Sequence, residues 1–127
     1  MTSDRELAER LADRDESALA ALYDRTSARA YGLALSILGD GREAEEAVSD
    51  GFLQVWENAA EFSSERGGLD AWLLTVVRSR ALDRLRTRKR RKRLADAAER
   101  DVASFTVGTT RSDPEAAHLA RVTLEGR

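Results

Sequence analysis

Apolar residues along the chain recur at spacings of three and four, and β-branched residues never gather into alternating runs, so the pattern predicts an all-α protein. A first helix is expected from Asp4 to about Ala12, because Ser3 stands at the N-cap position and Glu6 completes an S-x-x-E capping box. The second should start after Asp15 and reach about Leu38. Its residues Leu19, Leu22, Tyr23, Tyr31, Leu35 and Leu38 fall near one face, and Gly39, Asp40 and Gly41 end it. Asp40 then caps a third helix, with Glu43 at the box position. This helix is predicted to run to about Ala60, with Ala44, Val48, Val55 and Ala59 on one stripe. The segment SSERGG after Phe62 reads as a loop, since paired serines and glycines favour turns. A fourth helix opens near Leu69. Leu69, Leu73 and Val76 make one apolar stripe and Leu74, Val77, Ala81 and Leu85 another, so its first half should meet the core on two sides. Together these elements form a compact bundle of about four helices.

The periodicity changes character after Leu85. Residues 84–93, RLRTRKRRKR, hold eight cations in ten positions, which repel one another at i,i+4 and call for an anionic partner. The compact domain is therefore assigned to residues 1–93, and residues 94–127, small, polar and mildly acidic, to a flexible C-terminal tail. Within that tail, Asp113 and Pro114 supply a cap and first-turn proline for a short last helix. His118, on a polar stretch, reads as a solvated residue rather than a ligand.

A chain of 127 residues suits one ordinary domain, and 42% apolar residues suffice for its core. With only seven aromatics, that core must be mainly aliphatic and alanine. No apolar run approaches the ~20 residues a bilayer demands, and the N-terminus MTSDRELAERL is charged from its fourth residue, so no signal peptide or membrane insertion is expected and the chain is assigned to the cytoplasm. The absence of cysteine and the single histidine remove thiolate chemistry, zinc clusters and histidine triads; no catalytic residue, metal or cofactor is assigned.

Net charge, −2 overall, conceals a strong division. Residues 1–61 carry 6 Arg against 14 acids, whereas residues 62–93 carry 11 cations against 3 acids. Two surfaces with different partners follow from such a split. On the basic side, a helix rooted in the core and presenting Arg78, Arg80, Arg84, Arg86 and Arg88 would offer phosphates a fixed track; the bland alternative is a solvated charged tail. Just before it, the loop between Phe62 and Trp72 joins aromatic ends to the hydrogen-bonding residues Ser63, Ser64 and Arg66. By composition it is first a connector whose aromatics belong to the core, and second a pocket for an unstacked base. On the acidic side, Glu45, Glu46, Ser49, Asp50, Leu53 and Trp56 recur at spacings of three and four, which suits a docking face and a plain solvated face equally.

The stretch AEEAVSDGFLQVWENAAEF, then a short loop and WLLTVVRSRALDRLRTRKR, resembles region 2 of extracytoplasmic-function (ECF) sigma factors, the small members of the sigma-70 family. ALYDRTSARAYGLALSILGD looks like their first conserved helix, and the resemblance covers about residues 5–93. It implies a bacterial RNA polymerase sigma factor domain that docks on core polymerase and recognises and melts the promoter −10 element. By similarity Glu45, Glu46, Ser49, Asp50, Leu53 and Trp56 would meet the coiled coil of the β′ subunit. The loop with Ser63, Ser64, Arg66 and Trp72 would capture a flipped base. Arg78, Ser79, Arg80, Arg84, Arg86 and Arg88 would hold the non-template strand and upstream phosphates. An anti-sigma factor is a further partner implied by the family.

Two departures bear on specificity. The family's E-D-x-x-Q in the docking helix is here Glu45, Glu46, Ala47, Val48 and Ser49, a shorter side chain in place of glutamine; and the asparagine common at the base-reading position is Ser79. Asp83 is expected to pair with a neighbouring arginine rather than touch DNA. Family members continue into a second domain, region 4, of which the segment from Asp113 resembles only the first residues. The chain is accordingly expected to be either part of a longer protein, the favoured reading, or a naturally shortened product, and in both cases not to select promoters fully by itself. The competing reading is a non-sigma helical adaptor whose cationic helix binds RNA or another polyanion.

Overall fold

The computed structural model describes residues 3–105. Among these residues are four α-helices and no strand: α1 (Asp4–Ala12), α2 (Glu16–Leu38), α3 (Gly41–Glu57) and α4 (Leu69–Phe105), with 3-10 turns at Ala59–Glu61 and Ser64–Arg66 between the last two. No helix among them is long and apolar enough to cross a membrane. The chain divides into two compact units, the first ending at Arg84 and the second beginning at Leu85.

The helix starts lie where the capping residues put them. Ser3 Oγ accepts the Glu6 N–H at 3.1 Å, Asp15 accepts that of Ser17 at 3.0 Å, and Asp40 accepts that of Arg42 at 3.0 Å. Each satisfies a donor that the first helical turn would otherwise leave bare. Gly39 closes α2, its N–H donating to Leu35 O at 2.8 Å.

The core seam of α2 is offset from the patterned face. Ala18, Leu22, Thr26, Ala30 and Ala34 are fully buried and Leu38 nearly so, while Tyr23 is 51% exposed and Leu35 sits at the surface. The seam runs at i+4 steps, with Ala18, Thr26, Ala30 and Ala34 as small members between Leu22 and Leu38, and small residues let neighbouring backbones come close. Of the patterned face, Leu22 and Leu38 do lie in this seam, whereas Tyr23 and Leu35 turn outward. Thr26 is tolerated inside because its hydroxyl donates to Leu22 O at 2.6 Å.

The same device recurs between α3 and α4. The buried face of α3 is Ala44, Ala47, Val48, Gly51, Phe52 and Val55, and that of α4 includes Leu69, Leu73, Val76, Val77 and Ala81, so both apolar stripes of α4 reach the core. At Gly51 a β-carbon would lie 2.5 Å from Val77 Cγ2 and 3.3 Å from Val77 Cα.

The start of α4 is fixed from a distance. Asp4, in the first turn of α1, accepts the Leu69 N–H at 2.9 Å and so caps a helix 65 residues away. Its other oxygen takes Arg25 Nη2 at 2.9 Å, Arg25 also binds Asp70 at 2.7 Å, and Arg29 reaches Asp70 at 3.1 Å. The hydrogen bond from Leu69 N–H, aided by Arg25 and opposed by burial, holds the Asp4 carboxyl below the usual carboxylate range.

Residues 94–105, assigned by pattern to the tail, instead continue α4. The stretch LADAAERDVASF is rich in helix formers, and extending an existing helix needs propagation only, without the cost of a new nucleus. Lys92 and Asp96 also stand at the favourable i,i+4 spacing. The remainder of the tail, with Asp113, Pro114 and His118, lies outside the described residues.

Gly51→Ala gains up to about 1 kcal/mol of helix propensity but forces methyl against stiff Val77, an overpacking cost of about 1–3 kcal/mol. A net loss is expected in urea unfolding, partly restored when Val77→Ala is added. Acid should also be destabilising. The Asp15 carboxyl is lowered to about 2 by the Ser17 hydroxyl first and Arg10 second. A depressed carboxyl contributes its full stabilisation above its unfolded value near 3.8 and loses it as pH falls toward 2. Urea midpoints should therefore drop across that window, and drop less in Asp15→Asn.

Candidate functional site

The connection from α3 to α4 is built around two aromatic rings. After Asn58 caps α3, Phe62 turns inward and its ring packs 5.9 Å from that of Trp72, tilted by 34°. Ser63 is extended, Ser64–Arg66 form a single tight turn, and Gly67 then adopts φ 117° and ψ −178°, a region open essentially only to glycine. A cavity of about 390 Å³ results, lined by Glu61, Phe62, Ser63, Arg66, Ala71, Trp72 and Thr75 with both loop glycines. Its size falls in the range of ~300–1,000 Å³ common for small-ligand sites. The two aromatics are not core residues: they pack on each other and both are half-buried walls of an open cavity. Ser64 is exposed and does not line it.

Thr75 lies on the cavity wall, and Arg78 and Ser79, one helical turn further along α4, are both exposed. Aromatic walls, an exposed cation in Arg66, and an exposed arginine and hydroxyl on the next turn are parts that a flipped base and its flanking phosphates would need.

The rest of the patterned arginine track is engaged differently. Arg80 Nε donates to Gln54 Oε1 at 2.8 Å. Arg84 Nη1 donates to Glu46 Oε2 at 2.7 Å and Nη2 to Asp50 Oδ2 at 3.0 Å, leaving the arginine side chain only 30% exposed. Burial works against the Arg84 charge, but Asp50 and Glu46 outweigh it and hold its pKa above the ordinary guanidinium value. Glu46, Asp50 and Gln54 form an i,i+4,i+8 ladder on α3 facing Arg80 and Arg84 on α4. Sequence spacing put Arg84 on one surface and Glu46 and Asp50 on another; folding joins them. Arg86 and Arg88 follow in the second unit.

On the outer side of α3, Glu45, Ser49 and Leu53 form an exposed stripe, with Leu53 55% exposed. It borders a shallow groove of about 490 Å³ walled by Tyr23 and Tyr31 from α2 and Val48 from α3. Tyr23, expected in the core, instead leans on Phe52 with ring centroids 5.1 Å apart. Trp56 is half-buried under Arg14, whose guanidinium lies 5.3 Å from the ring and whose Nη1 donates to Trp56 O at 2.6 Å. The pattern of the sequence does not single out Arg14 or Gln54, and it places Tyr23 in the core. Only Gln54 carried a usable signal, its i+4 spacing from Asp50.

Since Gly67 alone supplies the loop's positive φ, Gly67→Ala should cost about 1–3 kcal/mol locally and collapse the cavity. The expected outcome is unchanged far-ultraviolet circular dichroism with increased solvent quenching of Trp72 fluorescence.

Residues 22–91 match the family described as Sigma-70 region 2. Over 80 residues the chain is 45% identical to the ECF RNA polymerase sigma factor SigK of Mycobacterium bovis (strain BCG / Pasteur 1173P2), covering 63% of this chain and 43% of that protein. The same protein in Mycobacterium tuberculosis (strain ATCC 25618 / H37Rv) gives the same figures. SigK of Mycobacterium sp. (strain KMS) is 38% identical over 114 residues, 90% of this chain and 54% of its own length. The chain spans about half the length of the curated relatives it matches.

Proposed function

Because the chain belongs to the sigma-70 region 2 family, we propose that it is the part of an ECF-type transcription initiation factor that docks on core RNA polymerase and engages the promoter −10 element. The observation that carries this reading is the juxtaposition in α4 and its preceding loop: a cavity walled by Phe62 and Trp72, with Arg66 at its rim and Arg78 and Ser79 one turn beyond. A base rotated out of the duplex stacks on aromatic surface and leaves its two phosphates near those arginines. Stacking is worth about 1–3 kcal/mol per base, comparable to the few kcal/mol that unstacking costs. Strand opening is thereby driven by binding energy, and the bond-making chemistry belongs to the polymerase.

On this reading the exposed stripe of Glu45, Ser49 and Leu53 meets the β′ coiled coil, with Leu53 as the apolar anchor and Glu45 facing basic residues. Ser49, with shorter reach than glutamine, leaves more of the contact to Leu53. An anti-sigma factor would act by covering the same stripe. Arg86 and Arg88 contact upstream phosphates by similarity to the family.

Fluorescence polarisation with a single-stranded non-template −10 oligonucleotide tests the DNA half. The logarithm of affinity should fall with log salt at about −0.7 per phosphate contacted, and Arg78→Ala should flatten that slope by about 0.7. Arg66→Ala and Ser79→Ala should narrow the preference over a scrambled strand. A salt-independent affinity removes the reading. For the protein half, retention on immobilised core polymerase should be lost in Glu45→Lys/Leu53→Ala while the melting temperature is kept.

A further inference from the structure

The clamp on Arg84 has a property that packing alone does not require. Its two carboxylates come from α3, immediately inside the exposed stripe assigned to polymerase, and they remain 45% and 41% exposed. Its guanidinium comes from the helix assigned to DNA, at the head of the basic run. Arg84 Nε, meanwhile, is buried and makes no hydrogen bond. The closed arrangement thus satisfies two of the three nitrogens and leaves one donor idle, which lowers the advantage of the clamp over alternatives. Glu46 Oε1 also lies 3.5 Å from Arg42 Nε, and the half-exposed carboxylates remain open to a further competing cation, while an arginine has the reach to exchange them for a phosphate.

We propose that Glu46 and Asp50 hold Arg84 away from nucleic acid until a cationic surface of the docking partner takes those carboxylates, so that docking on α3 releases a phosphate-binding arginine on α4. This rests on the assignment of the two faces given above. The device is a competition between an internal carboxylate pair and an external phosphate for one guanidinium. Because such coupling is reciprocal, DNA held by Arg84 also frees Glu46 and Asp50 for the partner. The free chain then binds DNA with one contact fewer than the complex does.

The test compares the full chain with Arg84→Ala, Glu46→Gln/Asp50→Asn, and the triple variant, each checked for a native melting curve, by the salt slope of binding to the same oligonucleotide. In the free chain Arg84→Ala should leave the slope unchanged. Glu46→Gln/Asp50→Asn should steepen it by about 0.7, one phosphate contact, and the triple variant should return it to the starting value. On core polymerase, Arg84→Ala should flatten the slope by the same amount. Two results overturn the proposal: a flatter slope for Arg84→Ala in the free chain, which places the arginine on DNA already, or a gain that survives in the triple variant, which makes the carboxylates mere general repulsion. The slope pattern does not depend on sequence preference. A scrambled strand bound equally well would sink the −10 reading and leave this competition standing.

Discussion

Where Gly51 meets Val77, α3 and α4 come together with no side chain on one of them, and this approach sets the geometry on which the candidate site depends. Close contact of the two backbones brings the polar ladder of Glu46, Asp50 and Gln54 within hydrogen-bond range of Arg84 and Arg80. It also fixes the root of α4, on which the cavity between Phe62 and Trp72 rests. A larger residue at position 51 would move both. One missing methyl group therefore serves packing, electrostatics and the pocket together, an economy that follows from interiors having almost no slack.

The division of charge acquires a different meaning in three dimensions. Along the chain, an acidic half precedes a basic segment, and the simplest inference is two surfaces turned to two partners. Folding preserves that only in part. Glu45, Ser49 and Leu53 keep the outward stance, as do Arg78 and Ser79, but Glu46, Asp50, Gln54, Arg80 and Arg84 face each other across the seam. The surfaces are thus in electrostatic contact through the protein, rather than insulated by an apolar core.

Much of the fold was legible in the sequence. Helix starts were marked by Ser3, Asp15 and Asp40 because capping is a local hydrogen bond that a few residues determine. The loop and the buried root of α4 were legible for the same reason. What could not be read was set by partners distant along the chain. The α2 seam of Ala18, Thr26, Ala30 and Ala34 is chosen by what lies opposite, and hydropathy underrates alanine beside Tyr23 and Leu35. Arg84 looked like its neighbours in a run of cations, since spacing along α4 carries no information about carboxylates on α3. The extension of α4 past Arg93 was missed because its residues lack an apolar stripe, although propensity alone favoured helix.

The bond from Asp4 to the first amide of α4 has a practical corollary for anyone who trims this domain. The segment that matches the family begins at residue 22, so an excision guided by that boundary would discard α1 and, with it, the carboxylate that seats Leu69 and one of the two acids gripping Arg25. The severed piece would retain every side chain credited with touching DNA, yet the hinge between its aromatic loop and its cationic helix would be left to fray. Family boundaries drawn from sequence similarity mark what relatives share; the mechanical footing of the shared part here extends beyond them.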